Sequence, residues 1–176
     1  LGTDDGVLAG VRSLVSASPV PVVVDGDGLA ALGSGTVPGA GHGGAGVLVT
    51  PHDGEFERLT GTQPGTDRLG AARHLAGRLG CTVLLKGPAT VVAEPGGSAL
   101  VAAEGDQRLA TAGTGDVLAG IAGALLAQGL DPLRAGAAAA WLHGRAGRMA
   151  PRHGMIASDV VEALPALWAE MSEDEG

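Results

Sequence analysis

Three short apolar runs set the fold. They are "PVVVDGD" (21–27), "VLVTPHD" (47–53) and "VLLKG" (83–87). Each stops on glycine or polar residues, and helix patterns separate them. A β-branched run of this length without polar alternation is a strand covered on both faces. Strands of that kind alternating with helices predict an α/β fold, a mostly parallel central sheet flanked by helices on both faces. In such folds ligands sit beyond the carboxyl ends of the strands. Four polar spots fall there: Asp25 and Asp27, His52 and Glu55, Lys86, and the turn "GTGD" at 113–116.

The other elements follow from local pattern. Residues 4–18 read as a helix with apolar positions at Val7, Leu8, Val11, Leu14 and Val15, and 33–46 as a glycine-rich loop. "PHDGEFERLTG" is a turn and short helix, and "TDRLGAARHLAGRLG" an amphipathic helix closed by Gly80, with His74 facing out. "ATVVAEPGGSALVAAEG" reads as a hairpin about a "PGG" turn. "DPLRAGAAAAWLHGRAGRMA" is a helix with proline in its first turn, and "ASDVVEALPALWAEM" a last helix with Ser158 as N-cap. Cys81 is expected to be a small buried hydrophobe, and Trp141 and Trp168 core or interface residues. His42, His74, His143 and His153 are expected to be structural or surface residues.

Bulk properties exclude several classes. A chain of 176 residues with 45% hydrophobic residues fits one domain with a real core. A net charge of -8 argues against a binder of DNA or RNA backbones. A single cysteine leaves no disulfide framework or cysteine-rich metal site. No charged n-region and apolar core mark a signal peptide, and no uninterrupted apolar run has membrane-spanning length. The expectation is a cytoplasmic protein, with disorder confined to the acidic tail "SEDEG".

Each polar spot has two readings. In "TAGTGD", glycines permit close backbone approach, and free N–H groups at a helix mouth cradle an anion. Asp116 is then a base for a hydroxyl group beside the transferring phosphoryl; otherwise it is a cap acid. Lys86 is a cation for nucleotide phosphates, or a solvated turn lysine. His52 bonds a hydroxyl, ribose or amide, or belongs to a capped turn with Asp53 and Glu55. Asp25 and Asp27 lie near a phosphate-bound Mg²⁺, or serve turn chemistry in "DGDG". There is no P-loop, no GxGxxG after a strand, no GxSxG and no HExxH.

Taken in order, "VVVDGDGL", "LVTPHDGEFERL", "VLLKGPATVV", "ATAGTGDVLAGIAGALLAQG", "AWLHGRAG" and "IASDVVEALP" resemble the ADP/ATP-dependent NAD(P)H-hydrate dehydratases of the ribokinase-like superfamily. The resemblance runs over nearly the whole chain. It implies metabolite repair: hydrated NADH or NADPH is phosphorylated on its hydroxyl by ADP or ATP, and loss of phosphate restores the reduced nicotinamide. Carried over by position, Asp116 contacts the hydrate and acts as base, and His52 contacts the hydrated dinucleotide. Lys86, Gly87, Pro88, Ala89 and Thr90, with Thr114 and Gly115, hold the adenine nucleotide. Mg²⁺ bridges phosphates near Asp25, Asp27 and Glu55, with no direct protein ligand assigned. The resemblance also implies a homo-oligomer and a fusion or partnership with an NAD(P)H-hydrate epimerase. The rival readings are a small-molecule kinase of the same superfamily and an inactive nucleotide-binding fragment.

The sequence departs from the family pattern in places. Asp53 stands where "PHPGE" has proline, adding a negative charge beside a phosphate site. Two glycines replace the alanines of "DADAL". "EGDQRLATAG" lacks the usual asparagine-containing segment. The opening "LGTDDGV" resembles the end of the family's "GPGLGTDD" turn. Residues 1–176 then correspond to the C-terminal portion of a single domain, N-terminally truncated. Such a chain is expected to expose a sheet edge and to be weakly stable, aggregated or inactive alone.

Overall fold

The computed structural model describes residues 2, 4–33, 35–37 and 46–173. His42, most of the glycine-rich loop and the end of the acidic tail lie outside the described residues. The elements run α1 (Asp5–Ala17), β1 (Val22–Val24), α2 (Asp27–Leu32), β2 (Val47–Val49), α3 (Asp53–Thr60), α4 (Arg68–Leu79) and β3 (Thr82–Leu85). They continue with β4 (Thr90–Ala93), β5 (Ala99–Ala102), a 3₁₀ turn (Gln107–Ala110), α5 (Thr114–Ala127), α6 (Pro132–Met149) and α7 (Ala157–Glu173).

The strands form one sheet in the order β1-β2-β3-β4-β5. β1, β2 and β3 are parallel, with Val23 opposite Leu48 and Val49 opposite Val83. β4 and β5 are the hairpin expected about "PGG", and they make the far side antiparallel. The sheet is therefore mixed, its parallel part being the three strands that end in the polar spots.

Side-chain alternation builds a three-layer structure. Val47, Val49, Val83, Leu85, Val91 and Ala93 point to the face covered by α1 to α4. Leu48, Leu84 and Val92 point to the other face, under α5, α6 and α7. On that second face α6 lies close to the sheet because Gly136 has no side chain. A Cβ there would sit 3.0 Å from Val92 and 3.3 Å from Leu48.

Local chemistry accounts for most helix ends. Asp4, Asp67 and Asp131 each accept a bond from the first-turn backbone of the helix they precede. Gly61 and Gly80 close α3 and α4 in the left-handed conformation.

Three local expectations are corrected. "DGDG" is not only a turn, because Asp27 opens the six-residue helix α2. Ser158 is not the N-cap of α7, because the helix starts one residue earlier and the Asp159 carboxylate reaches back to the amide of Ile156 at 2.8 Å. Leu14, on the expected apolar stripe of α1, is 70% exposed, and only Val15 of that stripe is buried. α1 packs mainly on the short α2, which is too narrow to cover the whole stripe. Cys81 is buried as expected, and burial pushes its thiol up to about 12.

Candidate functional site

The parallel strands deliver Asp25, His52 and Lys86 to one end of the sheet because the pairing β1-β2-β3 is in register. Asp25 follows β1 directly and Lys86 follows β3. Lys86 Nζ bridges them, 2.8 Å from Asp25 Oδ1 and 3.6 Å from Glu55 Oε2. α5 meets this end at its first turn. A Cβ on Gly115 would lie 3.8 Å from both Asp25 Oδ2 and Lys86 Nζ. Three strand ends and one helix mouth thus converge, as the sequence led us to expect.

The helix mouth excludes the cap reading of Asp116. Gly113 holds φ at 86°, a conformation that favours glycine, and serves as N-cap without a side-chain bond. Asp116 is therefore not the cap of α5. It occupies the third helical position, is exposed, and has no hydrogen-bond or ion-pair partner among the described residues. The Thr114 hydroxyl donates to the carbonyls of Leu109 (2.6 Å) and Thr111 (2.8 Å), which fixes the turn and occupies its proton. The Thr114 amide reaches Thr111 and that of Val117 reaches Gly113, so the N–H groups of Gly115 and Asp116 remain without acceptors among the described residues. Two free amides at a helix N-terminus form an anion site.

His52 takes part in the capped turn that the sequence allowed. Its Nδ1 accepts from the amides of Gly54 (3.0 Å) and Glu55 (3.3 Å), and Glu55 reaches back to the His52 amide at 2.8 Å, completing a capping box. With Nδ1 accepting, the proton belongs on Nε2, which lies 3.5 Å from Glu55 Oε1. Glu55 is buried and tied to His52 and Lys86. The extra charge of Asp53 is met by Arg68, whose two terminal nitrogens bond its two oxygens at 3.1 and 2.8 Å.

A cavity of about 850 Å³ opens from this end of the sheet. Of the residues expected in a site, it is lined by His52, Lys86, Gly87, Pro88, Thr90, Thr114 and Gly115. Ala89, Asp116, Asp25, Asp27 and Glu55 do not line it. Asp25 and Glu55 pair with the lining residue Lys86, and Asp116 follows the lining residue Gly115. Asp27 is exposed and receives the Gly2 amide at 3.3 Å. Among the described residues no three histidine, cysteine or acidic side chains converge as a metal cluster.

The rest of the lining was not anticipated. One wall is the segment 105–111, where Arg108 bonds Asp106 and holds its carboxyl below the usual range. The floor includes Leu118 of α5 and Ala140 and His143 of α6. His143, expected to be structural or surface, is buried, and its Nε2 has no partner. Burial, opposed by the Thr114 backbone and reinforced by the charge of Lys86, pushes it down to about 4, so it is neutral at physiological pH. The "HGRAG" spacing held the clue. A Cβ on Gly144 would come within 2.7 Å of the Glu104 backbone, and one on Gly147 within 2.6 Å of Leu109. α6 needs both glycines to lie against the wall segment.

Known proteins share this sequence pattern and fold. A family model described as NAD(P)H-hydrate dehydratase matches residues 1–166. The bifunctional NAD(P)H-hydrate repair enzyme of Mycobacterium tuberculosis is 52% identical over 132 residues, covering 74% of this chain and 27% of that protein. The ADP-dependent (S)-NAD(P)H-hydrate dehydratase of Neisseria meningitidis is 41% identical over 167 residues, 92% of this chain and 56% of that protein. The chain thus spans between about a quarter and a little over half of these two relatives. The structure of the ADP/ATP-dependent NAD(P)H-hydrate dehydratase of Bacillus subtilis, co-crystallised with ATP/Mg²⁺, superposes with a TM-score of 0.85 at 31% identity, over 97% of this chain and 61% of that one. A ribokinase-like superfamily protein of Enterococcus faecalis superposes with a TM-score of 0.77 at 26% identity, over 97% of this chain and 60% of that one. No described helix is long and apolar enough to cross a membrane. With its mixed three-layer sheet, its strand-end residues and a family match over all but its last ten residues, the chain belongs to the NAD(P)H-hydrate dehydratase family.

Proposed function

We infer that the chain supplies the nucleotide-dependent dehydration of hydrated NADH or NADPH. The observation that carries this reading is an unpartnered, exposed Asp116 beside two free amides at the mouth of α5, next to the Gly115 that lies against Lys86. A carboxylate next to an anion cradle repels a bound phosphate unless it has work to do on the attacking group. The hydroxyl that water left on the nicotinamide ring is that group.

Asp116 accepts the hydroxyl proton as its oxygen attacks the terminal phosphorus of ADP or ATP, and the bond from that phosphorus to the nucleotide breaks. The Gly115 and Asp116 amides and Lys86 face the charge on the moving phosphoryl. The ring C–O bond then breaks with phosphate as leaving group and a ring proton is lost, which restores the double bond. Phosphorylation is needed because hydroxide leaves poorly. Lys86, Gly87, Pro88 and Thr90, with the adjoining Ala89, bind the nucleotide, and His52 offers its Nε2 proton to the hydrate. Asp25 and Glu55, the carboxylates beside Lys86, are the residues that would support a bound Mg²⁺. When bound it neutralises phosphate charge. A partnership with an epimerase acting on the same hydrate belongs to this proposal, in keeping with a relative named as a bifunctional NAD(P)H-hydrate repair enzyme.

The test is incubation of hydrated NADH or NADPH with ADP or ATP and Mg²⁺, following the absorbance of reduced nicotinamide. Recovery is expected with wild type and about 10²–10⁴-fold slower recovery with Asp116→Asn. Equal rates would remove Asp116 as base. A phosphorylated product that accumulates without recovery would make the protein a kinase.

A further inference from the structure

Arg68 is a cation at the first position of α4, where the helix dipole disfavours positive charge. Its place is set by other contacts. Its guanidinium grips Asp53 with both terminal nitrogens, at 3.1 and 2.8 Å, and Nη2 also donates to the Lys86 carbonyl at 2.6 Å. Asp53 is the first residue of α3, directly after His52, and Lys86 begins the loop that leads into β4 at Thr90. The side chain is largely buried, at 20% exposure, and its buried Nε has no protein partner. The fork also lies flat on the loop. A Cβ on Gly87 would meet Nη2 at 2.5 Å, Cζ at 2.9 Å and Nε at 3.1 Å.

We propose that Arg68 is a positioning residue which ties the His52 helix start to the Lys86–Thr90 loop and thereby sets the nucleotide loop for binding. This rests on the reading of that loop as the nucleotide site. The acid at position 53 and the glycine at position 87 are then parts of the same device: one anchors the fork and the other makes room for it. Lysine would not reproduce Arg68, since one ammonium lacks the second nitrogen with which the planar fork holds Asp53 Oδ2. A free arginine would swing away from an added methyl group, but this one is held at three bonds.

The experiment measures ADP affinity by calorimetry, and melting temperature, for wild type, Arg68→Met, Gly87→Ala and the double variant. Arg68→Met and Gly87→Ala are each expected to weaken ADP about tenfold. The double variant should bind no more weakly than Arg68→Met, because the added Cβ then has no fork to displace. A strut without a role in the loop would lower the melting temperature of Arg68→Met and leave ADP affinity unchanged, and that result overturns the proposal. So does a double variant in which the two losses multiply. If Arg68→Met does not fold, Asp53→Asn is read instead; it should weaken ADP about threefold, and wild-type affinity there overturns the proposal. Failure of wild type to bind ADP at all would instead remove the nucleotide site, and this inference with it.

Discussion

Lys86 Nζ lies 2.8 Å from Asp25 Oδ1, joining the ends of β1 and β3 across β2, and the two side chains are 19% and 18% exposed. The ammonium also stands 3.6 Å from the nearly buried Glu55. One cation thus holds two carboxylates together at the site. Lys86→Met leaves both acids without it, and removing one partner of a buried pair costs about 3–5 kcal/mol. We expect a loss of that order in urea denaturation, and no measurable ADP binding by calorimetry. A stable Lys86→Met protein would show that the acids are solvated well enough to stand alone.

Asp116 predicts the opposite pattern. Its carboxylate caps nothing and pairs with nothing among the described residues, so Asp116→Asn should change stability by less than about 1 kcal/mol. Asp131, by contrast, caps α6 through the Arg134 amide at 3.0 Å, and Asp131→Ala should cost about 1 kcal/mol. Thermal melts of the two variants, set beside the hydrate assay, separate the roles: one loses turnover and keeps its stability, the other does the reverse.

His143 makes stability depend on pH. Its folded value of about 4 lies below the unfolded value near 6.5. Between those values the unfolded chain binds the extra proton, so its contribution is fully present above about pH 6.5 and is lost as pH falls toward 4. The difference is on the order of 3 kcal/mol. Urea midpoints at pH 7 and pH 4 should therefore fall more steeply for wild type than for His143→Gln. Equal slopes would mean that the imidazole is protonated in place.

Glycines divide by what a Cβ would meet. Gly144→Ala drives a methyl group into the backbone of Glu104 and Gly105, at 2.7 and 2.9 Å. It should cost about 1–3 kcal/mol and raise the KM for ADP by shifting the cavity wall. Gly120→Ala, on the exposed side of α5 with nothing within 4 Å, should stabilise by about 0.5–1 kcal/mol. Chemical denaturation of both variants checks the contrast.

The sequence by itself determined the strands, most helix bounds and the end of the sheet where the site lies. Those features depend on periodicity and turn chemistry within a few residues: the run Val22–Val24, the cap at Asp131, the glycine after Leu79. It also placed His52, Lys86 and the "GTGD" turn together, because parallel strands bring their carboxyl ends to one side. Only the tertiary structure decided which groups touch. Asp25 and Lys86 are 61 residues apart and Arg68 and Asp53 are 15 apart, and no local pattern encodes either pairing. The burial of His143 was hidden for the same reason, since α6 reads as an ordinary alanine-rich helix until Gly144 and Gly147 let it close on residues 104–109. That Asp116 is not a cap was likewise decided in three dimensions: Gly113 takes the cap and leaves its carboxylate free of partners among the described residues.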